Sequence, residues 1–189
     1  MGSSTLSRIL TAGAFSAVLA AATAGTAAAA PPSDHEPTRS TTGSAFAFLS
    51  GPESAVFLDA FAPPGEDSFA TLEIFVAGFE CLTEERIPAV VDDLTSASAT
   101  GELTLTCGSA EGEVLAHAVV DVAWEGEGPI SPSTFAGRGM ACVVRVLTRQ
   151  ATVTGTVQVT IPELGIDETA RPGEGELREA TELCPPRRD

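Results

Sequence analysis

The sequence contains no lysine, no asparagine and no tyrosine, and it has one tryptophan and two histidines. Without lysine, Schiff-base chemistry and P-loop phosphate binding are excluded, and without asparagine there is no N-linked glycosylation site. Since these three residues use AT-rich codons, the bias is typical of a GC-rich bacterial genome such as that of an actinomycete. With one tryptophan and no tyrosine, few rings can stack on a sugar, and we expect the nine phenylalanines to lie mostly on strands as core.

Basic residues are also scarce, with 10 arginines against 26 acidic residues and a net charge of −16. This balance argues against a nucleic-acid partner, because phosphate binding depends on clusters of cationic side chains. The 43% hydrophobic content excludes a wholly disordered chain. A chain of 189 residues is long enough for one domain of ordinary size.

The N-terminal segment has the features of a secretory signal. One arginine, Arg8, precedes an alanine-rich apolar stretch that ends in small residues before Pro31. We therefore predict a signal peptide over 1–29, a secreted extracellular protein, and no membrane attachment after cleavage. The alternative, a transmembrane anchor, is less consistent with a stretch so rich in alanine.

Four segments organise the chain. After the signal peptide, the polar and proline-rich residues 30–44 predict a disordered leader, 45–184 a single domain, and 185–189 a C-terminal tail. Within the domain the hydrophobic pattern has a period of two, interrupted by Gly, Pro and acidic turns. It predicts strands over 45–50, 54–61, 69–79, 100–107, 113–124, 140–149, 152–161 and, weakly, 176–183.

Alternation predicts one dry and one wet face for several of these strands. In 114–124 the even positions are apolar and the odd positions carry polar residues such as His117 and Asp121. Segment 69–79 is apolar on both faces and is therefore expected to be central. The pattern indicates an all-β, antiparallel two-sheet sandwich of seven or eight strands, immunoglobulin-like or related, with a small barrel as the alternative. The one possible helix is 174–183.

Candidate catalytic groups do not form a recognisable constellation. His35 lies in the leader, and His117 lies about 13 Å from Asp121 along an extended strand. No serine lies in a G-x-S-x-G motif. The acidic pairs fall mostly in predicted turns, which indicates solvated loops rather than a glycosidase; they are Glu66-Asp67, Glu84-Glu85, Asp92-Asp93, Glu111/Glu113, Glu125/Glu127 and Glu174/Glu176.

Metal and anion sites receive similarly little support. The sequence has no EF-hand-type loop, and its four cysteines lack the clustered spacing of a zinc site, so we predict no metal and no cofactor. Arg138, Arg145 and Arg149 fall close together and could form an anion or partner site. The alternative, which we favour, is pairing with acids of a neighbouring strand such as Asp121 across a 126–139 loop.

The cysteines of an exported chain are expected to form disulfides. Cys107 and Cys142 are both predicted to point inward from their strands. Of the three possible connectivities we prefer Cys81–Cys107 with Cys142–Cys184, which closes the acidic segment 82–99 and ties down the C-terminal strand. The runner-up joins Cys107 to Cys142 and Cys81 to Cys184.

Taken together, these features predict a secreted, disulfide-stabilised, non-catalytic binding or structural module with an extracellular or cell-envelope partner. Two alternatives stay open. The first is a protease inhibitor that presents the proline-containing segment 126–132 as a rigid exposed loop. The second is a secreted hydrolase that uses two of the carboxylates.

Overall fold

The computed structural model describes residues 37–83, 85–109, 112–136 and 142–185, and most of them lie in strands. A short 3-10 turn, Pro162–Leu164, precedes the last strand. No helix in these ranges has the length and apolar character needed to cross a membrane. The segments 1–29 and 186–189, which belong to the predicted signal peptide and tail, lie outside the described residues. The strands are β1 (Thr38–Ser50), β2 (Ser54–Ala62), β3 (Phe69–Val76), β4 (Phe79–Leu82), β5 (Ile87–Asp92), β6 (Ser96–Ser109), β7 (Gly112–Phe135), β8 (Val143–Ile161) and β9 (Ile166–Cys184).

All strand pairings are antiparallel, in the order β2-β1-β9-β8-β7-β6-β4-β3-β5. Two further pairings, β2 with β3 and β5 with β6, make the sheet close on itself. The predicted all-β, antiparallel class is confirmed. The nine strands form one continuous sheet, in place of two sheets with seven or eight strands, because β3 pairs with β2 as well as with β4 and β5 and leaves no division between sheets.

Small and branched aliphatic side chains from all nine strands fill the interior of this sheet. The even positions of β7 behave as predicted: Ala116 to Val122 and the indole of Trp124 are buried, while His117 and Asp121 are exposed. The expectation for the phenylalanines is wrong, because none of the described ones is among the buried core residues. Phe79 is half-buried and packs against the core. Six others make ring contacts, four in a cluster of Phe46, Phe48, Phe57 and Phe75 and two in the pair Phe61–Phe69.

The predicted central strand 69–79 is a hairpin. β3 ends at Val76 and β4 begins at Phe79, and the two intervening residues, Ala77 and Gly78, have φ of 50° and 87°. Two consecutive positive φ values are typical of the two-residue turns that match the twist of a hairpin. The sequence pattern did not reveal this turn. A hairpin with apolar residues in both strands and a single buried strand both give a continuous apolar segment.

Further segments differ from the prediction, and β5 forms within 82–99, where no strand was predicted. β1 begins at Thr38, so residues 38–44 of the predicted leader are paired with β9. Residues 143–149 and 152–161 of two predicted strands belong to a single strand, β8, and residues 140 and 141 lie outside the described residues. The possible helix 174–183 is strand β9, because its residues pair with both β1 and β8 and the sheet supplies the hydrogen bonds that a helix would make internally.

Gly155 interrupts the predicted alternation of β8. Val153 and Val157 are buried as expected, but Gly155 between them is exposed and has φ of 100°. The pairing of β8 with β9 shifts register between Ala151 and Val157 at the same place. The register shift is a β-bulge between the two strands, in which six steps of β8 lie opposite five steps of β9, and the odd positions of β8 stay buried on both sides of it.

Candidate functional site

Four long strands continue past the end of the core and form what we call the strand extension. It consists of residues 38–43, 126–135, 143–149 and 178–184, in the order β1-β9-β8-β7. β2 reaches only to the level of Gly43, and β6 only to the level of Glu125. The outer edges of β1 and β7 are therefore unpaired along this extension within the described residues.

The inner side of the extension carries three arginines, Arg39, Arg145 and Arg149. Leu177 is buried in the core, and every second side chain of a strand lies on the same face. Thr181 on β9 therefore lies on the face that continues the core-facing side, and the strand pairings place Arg39 and Arg145 on that face too. We call this side the arginine face, and its shallow depression has a volume of about 180 Å³. The depression is lined by Arg39, Arg145, Leu147, Glu179, Thr181 and Leu183.

The arginine face has few internal contacts to neutralise its charge. Thr181 is buried and its hydroxyl lies 3.3 Å from that of Thr41. Arg39 and Arg145 are both exposed, and neither forms an ion pair with another described residue. Glu179 is the one acidic residue that lines the depression. A chain of net charge −16 thus presents a locally cationic surface at this position.

Arg149 has a different role from Arg145. Its guanidinium donates to the carbonyl oxygen of Leu94 at 3.1 Å and to that of Gly128 at 3.2 Å. These bonds tie β8 to the β5–β6 turn and to β7 where the extension meets the core. The expected pairing with Asp121 is wrong, since Asp121 lies opposite Thr100 and Thr156 and segment 126–135 is strand rather than loop. Arg138 lies outside the described residues.

The outer strand of the extension has a bulge in the segment predicted as an inhibitory loop. The pairing of β7 with β8 shifts register between Glu127 and Ser131, so that Gly128, Pro129 and Ile130 have no partners in that ladder. Gly128 has φ of 66°, and all residues from 127 to 136 are exposed. The bulge is tethered through the Gly128 carbonyl to Arg149.

The structure joins Cys81 to Cys107 and Cys142 to Cys184, the connectivity preferred from the sequence. Cys81 and Cys107 face each other directly on β4 and β6 and are fully buried. Cys142 and Cys184 are half-exposed at the tip of the extension, so Cys142 does not point into the core as predicted. A carboxylate oxygen of Glu182 lies within 4.8 Å of both sulfurs, but these sulfurs are bonded to each other and cannot act as thiolate ligands.

The remaining candidate residues are dispersed. His117 lies opposite Thr104 and Thr160, with its Nδ1 3.4 Å from the Thr104 hydroxyl, and no carboxylate occupies a directly opposed position. None of the predicted acidic pairs lines the depression of the arginine face or a second depression beside Gly51 and Thr169. His35, Glu84 and Glu111 lie outside the described residues.

One carboxyl that the sequence analysis passed over has a perturbed environment. Burial raises the pKa of Asp59, the nearby charge of Arg178 lowers it, and Glu73 raises it further, with a net upward shift. Asp59 lies on the outside of the sheet between Phe46 on β1 and Thr71 on β3, next to the phenylalanine cluster. Arg178 also pairs with Glu176. The sequence pattern did not indicate this burial, because Asp59 is a single acidic residue at a position of β2 where alternation predicts an exposed side chain.

Comparison with protein families, with curated proteins and with solved structures found no match to this chain. The functional interpretation therefore depends on the described residues themselves.

Proposed function

We propose that this chain is a secreted, non-catalytic binding module, and that the strand extension is its contact surface. The proposal rests on one observation: four strands extend beyond the core, and Arg39 and Arg145 are exposed to solvent on this extension. An ordinary surface of so acidic a protein would carry acids or matched ion pairs at this position. A paired extension with two exposed arginines that form no ion pair with a described residue is suited to an acidic partner.

The edge of β1 favours an extended partner segment. Residues 38–42 have no neighbouring strand on the outer side, and they contain no proline that would block backbone pairing. An added strand would place alternate side chains next to Arg39 on the arginine face. The opposite edge is less suitable, because Pro129 and Pro132 remove backbone donors from β7.

A short peptide of alternating threonine and glutamate, compared with its threonine–arginine counterpart, tests this proposal. We expect the acidic peptide to bind by fluorescence anisotropy, with an affinity that falls as salt rises, and R39A/R145A to weaken it by about tenfold or more. R171A, which removes an exposed arginine outside the arginine face, should leave binding unchanged. Tighter binding of the basic peptide, or equal loss in R171A, would contradict the proposal.

Export is a separate part of the proposal. It is supported by the N-terminal sequence pattern and by two disulfides, which persist in oxidising compartments. Intact-mass analysis of protein recovered from the culture medium should give a first residue between Ala29 and Pro31. Full-length protein retained in the membrane fraction would contradict it.

The bulge in β7 supports a second candidate function, protease inhibition. Ile130 is half-exposed at this bulge, between Pro129 and Pro132, and the Arg149 contact to Gly128 restrains its backbone. A restrained, exposed and extended segment is what a protease cleft accepts without the cost of ordering it. Incubation with a panel of serine proteases tests this, with I130A expected to weaken any inhibition; intact activity of every protease would eliminate the candidate.

A further inference from the structure

Two buried oxygen atoms at the other end of the sheet, away from the strand extension, have no hydrogen-bond partner among the described residues. One is Oγ of Ser54, a residue only 8% exposed at the start of β2, and the other is Oε2 of Glu168 in β9. An unpaired buried hydroxyl costs free energy, and an unpaired carboxylate oxygen costs more. A bound water or ion would supply the partner that these two oxygen atoms lack.

Both oxygens border the same small space next to Gly51. A β-carbon built on Gly51 would lie 2.4 Å from Ser54 Oγ, 3.0 Å from Glu168 Oε2 and 3.2 Å from the carbonyl oxygen of Thr169. Three oxygens thus surround the position that a side chain at residue 51 would fill. Gly51, Glu168 and Thr169 also line a depression of about 440 Å³, together with Ser50, Pro52, Asp167 and Arg171.

We propose that this depression is a binding site for a hard divalent cation, and specifically for Ca²⁺. The donors are a carboxylate, a hydroxyl and a backbone carbonyl, which are the oxygen ligands that Ca²⁺ takes at about 2.3–2.6 Å. Ser54 Oγ and Glu168 Oε2 are close enough for one such ion to contact both, since each lies within 3.0 Å of one point. Asp167 also lines the depression, and its Oδ1 accepts a hydrogen bond of 3.0 Å from Gln158 Nε2.

The charge of the chain favours a cation over a water molecule at this position. Water would satisfy the hydroxyl but would leave the charge of Glu168 uncompensated, whereas a divalent ion neutralises it. Arg171 also lines the depression, but its side chain is exposed and its repulsion is screened by solvent. The proposal is independent of the strand extension, because no residue is shared between the two surfaces.

The test is calorimetric titration of the EDTA-treated, disulfide-bonded protein with CaCl₂, together with thermal unfolding with and without Ca²⁺. We expect saturable binding of one ion and a Ca²⁺-dependent rise in the melting temperature. Glu168→Gln and Ser54→Ala should each weaken binding by about tenfold or more. Glu163→Gln, which removes an exposed charge from the neighbouring 3-10 turn, should bind as the wild type does.

Unfolding in EDTA provides a second readout that separates the site from fold damage. Since Glu168→Gln removes a carboxylate that has one buried oxygen without a partner, this variant should be at least as stable as the wild type without Ca²⁺ and should lose the Ca²⁺-dependent stabilisation. Gly51→Ala, which fills the space, should also lose it. Absence of Ca²⁺ binding, or equal binding by wild type and all three site variants, would overturn the proposal in favour of a bound water.

Discussion

The indole nitrogen of Trp124 donates a hydrogen bond of 2.8 Å to the backbone carbonyl oxygen of Phe46. Trp124 lies on β7 and Phe46 on β1, and these strands are not neighbours in the sheet. The bond therefore crosses the interior and links two sides of the closed sheet. It also explains how a large side chain with a polar atom is accommodated in a core of small aliphatic residues.

Replacement of Trp124 by phenylalanine should destabilise the protein by about 1–3 kcal/mol, because it leaves the Phe46 carbonyl without its donor and reduces the packed volume. Urea unfolding followed by circular dichroism measures this difference. His117→Ala, on the exposed face of the same strand, is the control and should change stability by less than about 0.5 kcal/mol. Equal stability of W124F and wild type would show that the bond contributes nothing.

Gly155 should not tolerate a side chain. A β-carbon at this position would lie 1.9 Å from the carbonyl oxygen of Asp121, and the φ of 100° is unfavourable for any other residue. We expect G155A to lose at least about 2 kcal/mol of unfolding free energy. G108A is the matched control: Gly108 is also in a strand, has nothing within 4 Å of the added carbon, and should be nearly neutral in the same denaturation experiment.

Asp59 predicts a specific dependence of stability on pH. Because its pKa is raised in the folded protein, chiefly by burial, the charged form disfavours folding, and stability is lost as pH rises through the raised pKa. Asp59→Asn should therefore raise the melting temperature at neutral pH. The gain should vanish below the ordinary aspartate pKa of about 3.9, where both side chains are neutral. Asp121→Asn, on an exposed face, should not show this pattern; a constant gain for D59N at all pH values would contradict the explanation.

The two disulfides should differ in their resistance to reduction. Thiol–disulfide exchange requires access of a thiolate to sulfur, and Cys142–Cys184 is half-exposed whereas Cys81–Cys107 is buried. Limited treatment with a reductant, followed by alkylation and peptide mapping, should label Cys142 and Cys184 first. Labelling of Cys81 before Cys184 in the folded protein would contradict this order.

Loss of the outer disulfide should affect the strand extension more than the core. The bond closes a separation of 42 residues, for which the loop-entropy estimate is about 3–4 kcal/mol. In a C142A/C184A variant, amide exchange should quicken in residues 143–149 and 178–184. The core positions of β7 should stay protected. Uniform acceleration throughout the sheet would show that the bond supports the whole fold instead.

The amino-acid sequence by itself determined the all-β class and the buried face of β7, because side chains of a strand alternate at every second residue. It also favoured the disulfide connectivity, since Cys81–Cys107 closes the acidic segment 82–99 and Cys142–Cys184 ties down the C-terminal strand. The same local signals could not separate the hairpin at Ala77-Gly78 from a single strand, because both produce an apolar run.

Only the tertiary structure decided which residues meet across the chain. The arginine face combines Arg39, Arg145 and Thr181 from three strands, and the proposed cation site combines Ser54 with Glu168, 114 positions apart in the numbering. Such convergence depends on how the sheet closes and where each strand overruns its neighbour. Those features follow from the sum of many weak pairings rather than from any local pattern, which is why neither surface could be derived from the sequence.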